Sequence, residues 1–154
     1  MTVKLPTVAD TRGFGRALAA VLRAGDLVLL SGPLGAGKTV LAQGIGAGLG
    51  VTGPVTSPTF VIARIHPGPV PMVHADAYRL GAVSDPRAEV DDLDLDAELD
   101  RSVMVVEWGE GMVEQLADAH LLVRIDRHDD ETRTVELSGH GGDWAERLSR
   151  LDRR

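Results

Sequence analysis

Leu27-Val28-Leu29-Leu30-Ser31-Gly32-Pro33-Leu34-Gly35-Ala36-Gly37-Lys38-Thr39 is the stretch that decides the fold. It opens with four apolar residues in a row, the mark of a strand buried on both faces. Gly32 to Thr39 then follows the spacing G-x-x-x-x-G-K-[ST]. Lys38 to Leu49 reads as a helix stopped by Gly50. Strand, glycine-rich turn and helix therefore come in the order that a phosphate-binding loop needs. The glycines let successive backbone N–H groups converge on one anion-sized hollow. The helix N-terminus adds its positive dipole end. Lys38 reaches toward β- and γ-phosphates, and Thr39 offers a hydroxyl to Mg²⁺. Lys38 is one of two lysines beside fourteen arginines, so an arbitrary basic residue here would have been arginine. Its ammonium is expected to be exposed in a surface loop.

Working outward, Asp10 or Thr11 can cap a helix running to about Ala24, with Phe14, Leu18, Val21 and Leu22 on one face. Gly25 reads as its stop. Gly44 and Gly48 share a face of the helix after the loop, and close packing on a sheet accounts for them. Phe60 to Ile65 and Val70 to His74 form an antiparallel hairpin turning at Pro67-Gly68-Pro69. Val103 to Val106 is a second buried-strand run. Leu121 to Ile125 and Thr132 to Leu137 are strands around the polar turn His128-Asp129-Asp130. Asp143 caps a last helix, with Glu146 as its capping-box partner. Strands alternating with helices define an α/β protein. The expected architecture is a P-loop NTPase-like three-layer fold, a mixed sheet with an antiparallel hairpin and flanking helices, in a single domain over residues 1–154.

Composition narrows the function. Aromatics are 3% of the 154 residues, too few for base-stacking platforms. The formal net charge of −7 opposes direct binding of RNA or DNA. With no cysteine, disulfides, thiolate metal sites and a cysteine nucleophile are excluded. Met1 to Pro6 has no apolar core of a signal peptide, and a cytoplasmic location is expected. Thr39 to Ala63 runs 25 residues without a charge. Its five glycines and two prolines make it a helix, a loop and a strand in series rather than a membrane span.

A phosphate loop of this kind needs a carboxylate at the end of a neighbouring strand to hold the metal. Glu107 directly follows the run Val103 to Val106, although Asp is commoner there. Asp76 ends another strand; it either orients a water or caps a helix beginning near Tyr78. His74-x-Asp76 alone does not supply the further ligands of a two-metal hydrolase. Thr59, in Ser57-Pro58-Thr59-Phe60, is either a switch-like hydroxyl near the γ-phosphate or part of a plain turn. Guanine is usually read by Asn in an Asn-Lys-x-Asp segment, and this chain has no Asn, so adenine is the expected base. Asp91 to Asp100 alternates acids with leucines. It is either a solvated edge or a docking surface for a basic partner.

The blocks Gly35-Ala36-Gly37-Lys38-Thr39, Ser57-Pro58-Thr59-Phe60, His74-Ala75-Asp76-Ala77-Tyr78-Arg79-Leu80 and Glu107-Trp108, in this order, resemble the bacterial TsaE (YjeE) family of small P-loop ATPases. The resemblance runs from about Asp10 to Val135. It implies ATP and Mg²⁺ as ligands, and a role in making N6-threonylcarbamoyladenosine at position 37 of tRNAs that read ANN codons. In that pathway TsaC makes threonylcarbamoyl-adenylate and TsaB–TsaD transfers the group to tRNA. TsaE-like proteins dock on TsaB and TsaD and hydrolyse ATP slowly without performing the transfer. tRNA is then a partner only indirectly, through the complex, and no membrane is involved. Carried over by position, Gly35, Ala36, Gly37, Lys38, Thr39 and Val40 would bind the nucleotide. Thr39 and Glu107 would hold the metal. Lys38, Asp76, Glu107 and Thr59 would serve catalysis. Thr11 and Arg133 match nucleotide-side positions loosely, and Trp108 matches the family tryptophan beside the glutamate. Pro33 stands where the family often has Asp, and Ala77 where Leu is common; neither removes a ligand. A small-molecule kinase on the same fold is the rival reading, but between Ser84 and Asp100 only Arg87 is available for an arginine-bearing lid.

Overall fold

The computed structural model describes residues 1–33, 36–52, 55, 63–76, 100–107 and 119–152. Its elements are β1 (Thr2–Leu5), α1 (Val8–Ala19), β2 (Leu27–Ser31), α2 (Lys38–Leu49), β3 (Ala63–His66), β4 (Met72–Asp76), β5 (Val103–Glu107), β6 (His120–Arg127), β7 (Arg133–His140) and α3 (Trp144–Asp152). The strands form one mixed sheet in the order β1-β7-β6-β2-β5-β4-β3. The inner strands β6, β2, β5 and β4 run parallel. β7, β1 and β3 pair antiparallel with their neighbours. The loop after β2 thus leaves the middle of the sheet, between β5 and β6. Ligands of open α/β sheets sit at these carboxyl ends.

Burial follows the pattern of each strand. Leu27 to Leu30 and Val103 to Val106 are buried on both faces. β6 alternates, with Leu121, Val123 and Ile125 inside and Arg124 exposed. On one face Val28, Leu30, Val105 and Val123 share a core with Leu18 of α1, Leu41 and Ile45 of α2 and Leu151 of α3. On the other, Leu27, Leu29, Met104 and Val106 are no more than 1% exposed.

Several boundaries differ from the sequence reading. The cap of α1 is Thr7, not Asp10 or Thr11. Thr7 Oγ1 accepts from the Asp10 amide at 3.1 Å, and the Asp10 carboxylate accepts from the Thr7 amide at 2.9 Å. This reciprocal capping box takes Asp10 as its inner member. α1 ends at Ala19, and Gly25 (φ 96°) serves the turn into β2 instead. α2 ends at Gly50 (φ 76°) as read. The β3–β4 hairpin pairs Ala63 with Ala75 through His66 with Met72; Phe60 to Ile62 lie outside the described residues. β1 has no counterpart in the sequence reading.

Gly44 and Gly48 face α1 rather than the sheet. A Cβ on Gly48 would stand 2.6 Å from Ala19 Cβ, and one on Gly15 would stand 2.6 Å from the Leu41 carbonyl oxygen. Small residues on both helices let the two backbones touch. α1 and α2 therefore run side by side in the same sense, Gly15 against Leu41 and Ala19 against Gly48.

α3 is fixed by a buried ion pair. Arg147 donates to both oxygens of Asp26, at 2.6 and 2.8 Å, and to the Val21 carbonyl at 3.0 Å. Its guanidinium lies 4.0 Å from the Trp144 ring centre. The Asp143 carboxylate, expected as a helix cap, accepts from Arg147 Nε at 3.0 Å and from Arg23 at 3.1 Å. Among the described residues, no helix is long and apolar enough to cross a membrane.

Candidate functional site

The site begins where β2 stops. Gly32 has φ 147° and Gly37 has φ 112°, conformations that L side chains rarely adopt. A Cβ at Gly32 would also collide with the Ile125 carbonyl oxygen, and one at Gly37 would sit 3.2 Å from Arg133 Nε. Gly32 is thus required by backbone angle and by space, and Gly37 by backbone angle. Gly37 is the residue before α2, and no side chain caps that helix. Its first amides are left for an external acceptor. A phosphate is the acceptor that both amides and dipole favour. Gly35 lies outside the described residues.

Lys38 is the first residue of α2. Contrary to the exposed ammonium expected, it is 5% exposed. Nζ donates to the carbonyls of Gly32 at 2.7 Å and Pro33 at 2.9 Å. The side chain folds back across the loop that it belongs to. Ala36 is buried, while Thr39 and Val40 are half-buried on the first turn.

Arg133, the first residue of β7, reaches the same loop. Its Nε donates to the Ala36 carbonyl at 3.0 Å, and its Nη1 to the Glu131 carbonyl at 3.0 Å. The sequence pointed to Arg133 as a nucleotide-side residue; the structure shows a brace on the loop backbone. Thr11 is fully buried in α1, its hydroxyl directed to the Thr7 carbonyl at 3.4 Å. Because α1 runs alongside α2, Thr11 stands at the loop end of α1.

Glu107 and Asp76 are register partners at the carboxyl ends of their strands. Glu107 is opposite Leu30 on β2 and opposite Asp76 on β4. Glu107 is 4% exposed. Its Oε2 lies 2.5 Å from Nε2 of His74, which is fully buried. An ionised carboxylate only accepts, so the imidazole is the donor. His66 lies further along, its ring centre 6.5 Å from that of His74. Burial first, then the charges of His74 and Arg64, hold His66 below the ordinary imidazole value. The sequence offers His74 only as one member of an incomplete His-x-Asp metal set; the structure bonds it to Glu107 instead. The available signal was the strand order, since His74 and Glu107 pair only if β4 and β5 are neighbours. Thr59, Trp108 and the stretch Asp91 to Leu99 lie outside the described residues.

A buried carboxylate is costly unless charge or hydrogen bonds compensate it. Glu107 has one such bond among the described residues, and a cation beside it would supply the rest. The hydroxyl of Thr39 and the carboxylate of Glu107 are hard oxygen donors of the kind Mg²⁺ takes. No group of three or more His, Asp or Glu among the described residues is placed to hold a metal alone. Magnesium in such sites typically takes one or two protein ligands and completes its shell with phosphate oxygens and water.

A glycine loop between a central parallel strand and a helix, with a carboxylate on the adjacent strand, defines the P-loop class of α/β fold. Residues 5–135 match the family model described as threonylcarbamoyl adenosine biosynthesis protein TsaE, and the chain belongs to that family. It is 59% identical over 142 residues to the tRNA threonylcarbamoyladenosine biosynthesis protein TsaE of Streptomyces coelicolor, covering 87% of this chain and 93% of that one. The protein of the same name from Mycobacterium tuberculosis H37Rv is 54% identical over 132 residues, covering 82% and 79%. That from Bacillus subtilis is 36% identical, covering 93% and 90%. The crystal structure of YdiB from the same bacillus superposes with a TM-score of 0.81 at 28% identity, covering 99% of this chain and 94% of that one.

Proposed function

We propose that this chain is a Mg²⁺-dependent ATPase that supports N6-threonylcarbamoyladenosine formation in tRNA by docking, in its ATP-bound state, on a TsaB–TsaD complex. The observation that carries the reading is the shared carboxyl end of the neighbouring strands β2, β5 and β4. There β2 leads into the loop and the uncapped N-terminus of α2 with Lys38, and Glu107 ends β5 between Leu30 of β2 and Asp76 of β4. The names of the relatives supply the pathway.

In this reading the amides of residues 35–40 bind the β-phosphate. The Lys38 ammonium leaves the Gly32 and Pro33 carbonyls and takes phosphate oxygens, neutralising charge that grows in the transition state. Thr39 and Glu107 would hold Mg²⁺, which would supply charge neutralisation at the phosphates. Asp76 orients the attacking water, Thr59 senses the γ-phosphate, and Arg133 keeps the loop backbone in place. The group transfer to tRNA belongs to the partner complex, and all of this takes place in the cytoplasm.

The net charge of −7 explains why tRNA contact is assigned to the partner, because phosphate contacts dominate such affinity. The test is a pull-down of TsaB–TsaD by this chain without nucleotide, with ATP and with a non-hydrolysable ATP analogue. Capture that requires either nucleotide supports the reading. Capture indifferent to nucleotide, or none, contradicts it. Tight binding of tRNA to this chain alone in a low-salt gel shift would contradict the indirect role.

A further inference from the structure

We infer that His74 is a positioning residue for the metal site: its Nε2–H fixes Oε2 of Glu107 and so the orientation in which that carboxylate meets the cation. The inference rests on the reading that Glu107 holds Mg²⁺, and it goes beyond it to a residue on the neighbouring strand.

His74 sits on β4 opposite Val105, and Glu107 is two residues further along β5 on the same face, opposite Asp76. The ring and the carboxylate are thus diagonal neighbours across one parallel pair, on the face that carries α2. The 2.5 Å contact joins two side chains that are 0% and 6% exposed. Low local polarity strengthens such a bond and leaves the carboxylate little freedom to turn.

The second observation is what His74 does not do. Nδ1 is buried and has no hydrogen-bond partner among the described residues. A fully buried imidazole with one unpaired nitrogen is unfavourable relative to a satisfied one. Along β4 and on β5 its neighbours Met72, Val73, Ala75 and Val105 are apolar and buried, while on β3 it pairs with Arg64 and has the His66 ring 6.5 Å away. Leucine or valine would fill this place without that penalty. The return visible in the structure is the bond to Oε2 of Glu107. Residues that hold a metal ligand in place commonly change metal affinity by about 10- to 100-fold when replaced.

The experiment is a divalent-cation titration of the full chain with a non-hydrolysable ATP analogue bound, read by Mn²⁺ electron paramagnetic resonance and by Mg²⁺ competition. His74→Leu keeps apolar bulk and removes the donor. His74→Gln places an amide N–H near the former Nε2. His74→Asn places its amide near the former Nδ1. The expected result is a metal midpoint raised about 10-fold or more in the Leu and Asn variants. His74→Gln should stay within a few-fold of wild type, and affinity for the analogue without metal should be unchanged in all three. If His74→Leu does not fold, the Gln–Asn pair carries the comparison. Equal midpoints in all variants and wild type overturn the inference. Equal rises in Gln and Asn also overturn it, because they would report packing alone. In a Glu107→Ala background, His74→Asn should change the midpoint no further; an additional rise contradicts a role exercised through Glu107. A wild-type chain whose analogue complex takes up no divalent cation would instead remove the metal reading, and this inference with it.

Discussion

Arg133 Nε donates to the Ala36 carbonyl at 3.0 Å, so a residue from the antiparallel side of the sheet braces the loop in front of α2. The two residues are 97 positions apart in the chain. The same guanidinium holds the Glu131 carbonyl, which fixes the fork at both ends. A loop whose amides must converge on one anion gains from being held in place before the anion arrives.

Replacing Arg133 with Met is therefore expected to weaken ATP binding by about tenfold, the effect of losing a charge-assisted hydrogen bond. The urea midpoint should move little, since the side chain is only partly buried. Isothermal titration with ATP and urea unfolding check the two halves. Unchanged affinity would show that the brace has no bearing on the site.

Gly44→Ala places a methyl group against the Arg12 backbone, with the Gly15 Cα at 3.1 Å. The expected loss is about 1–3 kcal/mol of stability, as for other overpacked cores. Gly13→Ala is the control. Nothing lies within 4 Å of a Cβ there, and the residue is inside α1. A gain of about 0.4–1 kcal/mol is expected from the reduced freedom of the unfolded chain. Denaturant melts of both variants decide; a harmless Gly44→Ala would contradict the close approach of α1 and α2.

Much of this fold was legible because its strong signals are local. The run Leu27 to Leu30, the glycine loop and the Gly50 stop each specify their own conformation, and α2 starts and ends where read. The hairpin at Pro67-Gly68-Pro69 was legible for the same reason. β1 was not, because Thr2 to Leu5 is four residues long and becomes a strand only by pairing with β7. The glycines of α2 signalled close packing but not the partner; only the neighbouring α1, with its own Gly15, defines that. The exposed ammonium expected of Lys38 was wrong because the loop's own carbonyls draw it inward. The bond between His74 and Glu107 depends on strand order, which no local spacing encodes.

His66 sets the third prediction. It is buried, and its depressed affinity for a proton comes from burial first and then from His74 and Arg64. As pH falls through the ordinary imidazole value near 6.5, the unfolded chain takes up a proton at this position and the folded chain does not. The unfolded state then binds more protons, so stability falls on acidification below that value and recovers as pH rises above it. His66→Phe should make the decline shallower. Urea midpoints at a series of pH values between about 5 and 8 provide the comparison. Parallel curves for wild type and variant would remove His66 from the acid response.

The account stands most directly on Lys38. Its ammonium now holds the Gly32 and Pro33 carbonyls, at the mouth of the uncapped helix where phosphates are proposed to bind. The deciding measurement is ATP turnover by wild type and Lys38→Ala at saturating Mg²⁺, with unfolding midpoints taken on the same samples. The account predicts a folded variant whose turnover is lower by about 100-fold or more, the loss expected when a charge-stabilising donor is removed. A folded Lys38→Ala that hydrolyses ATP at the wild-type rate would contradict it.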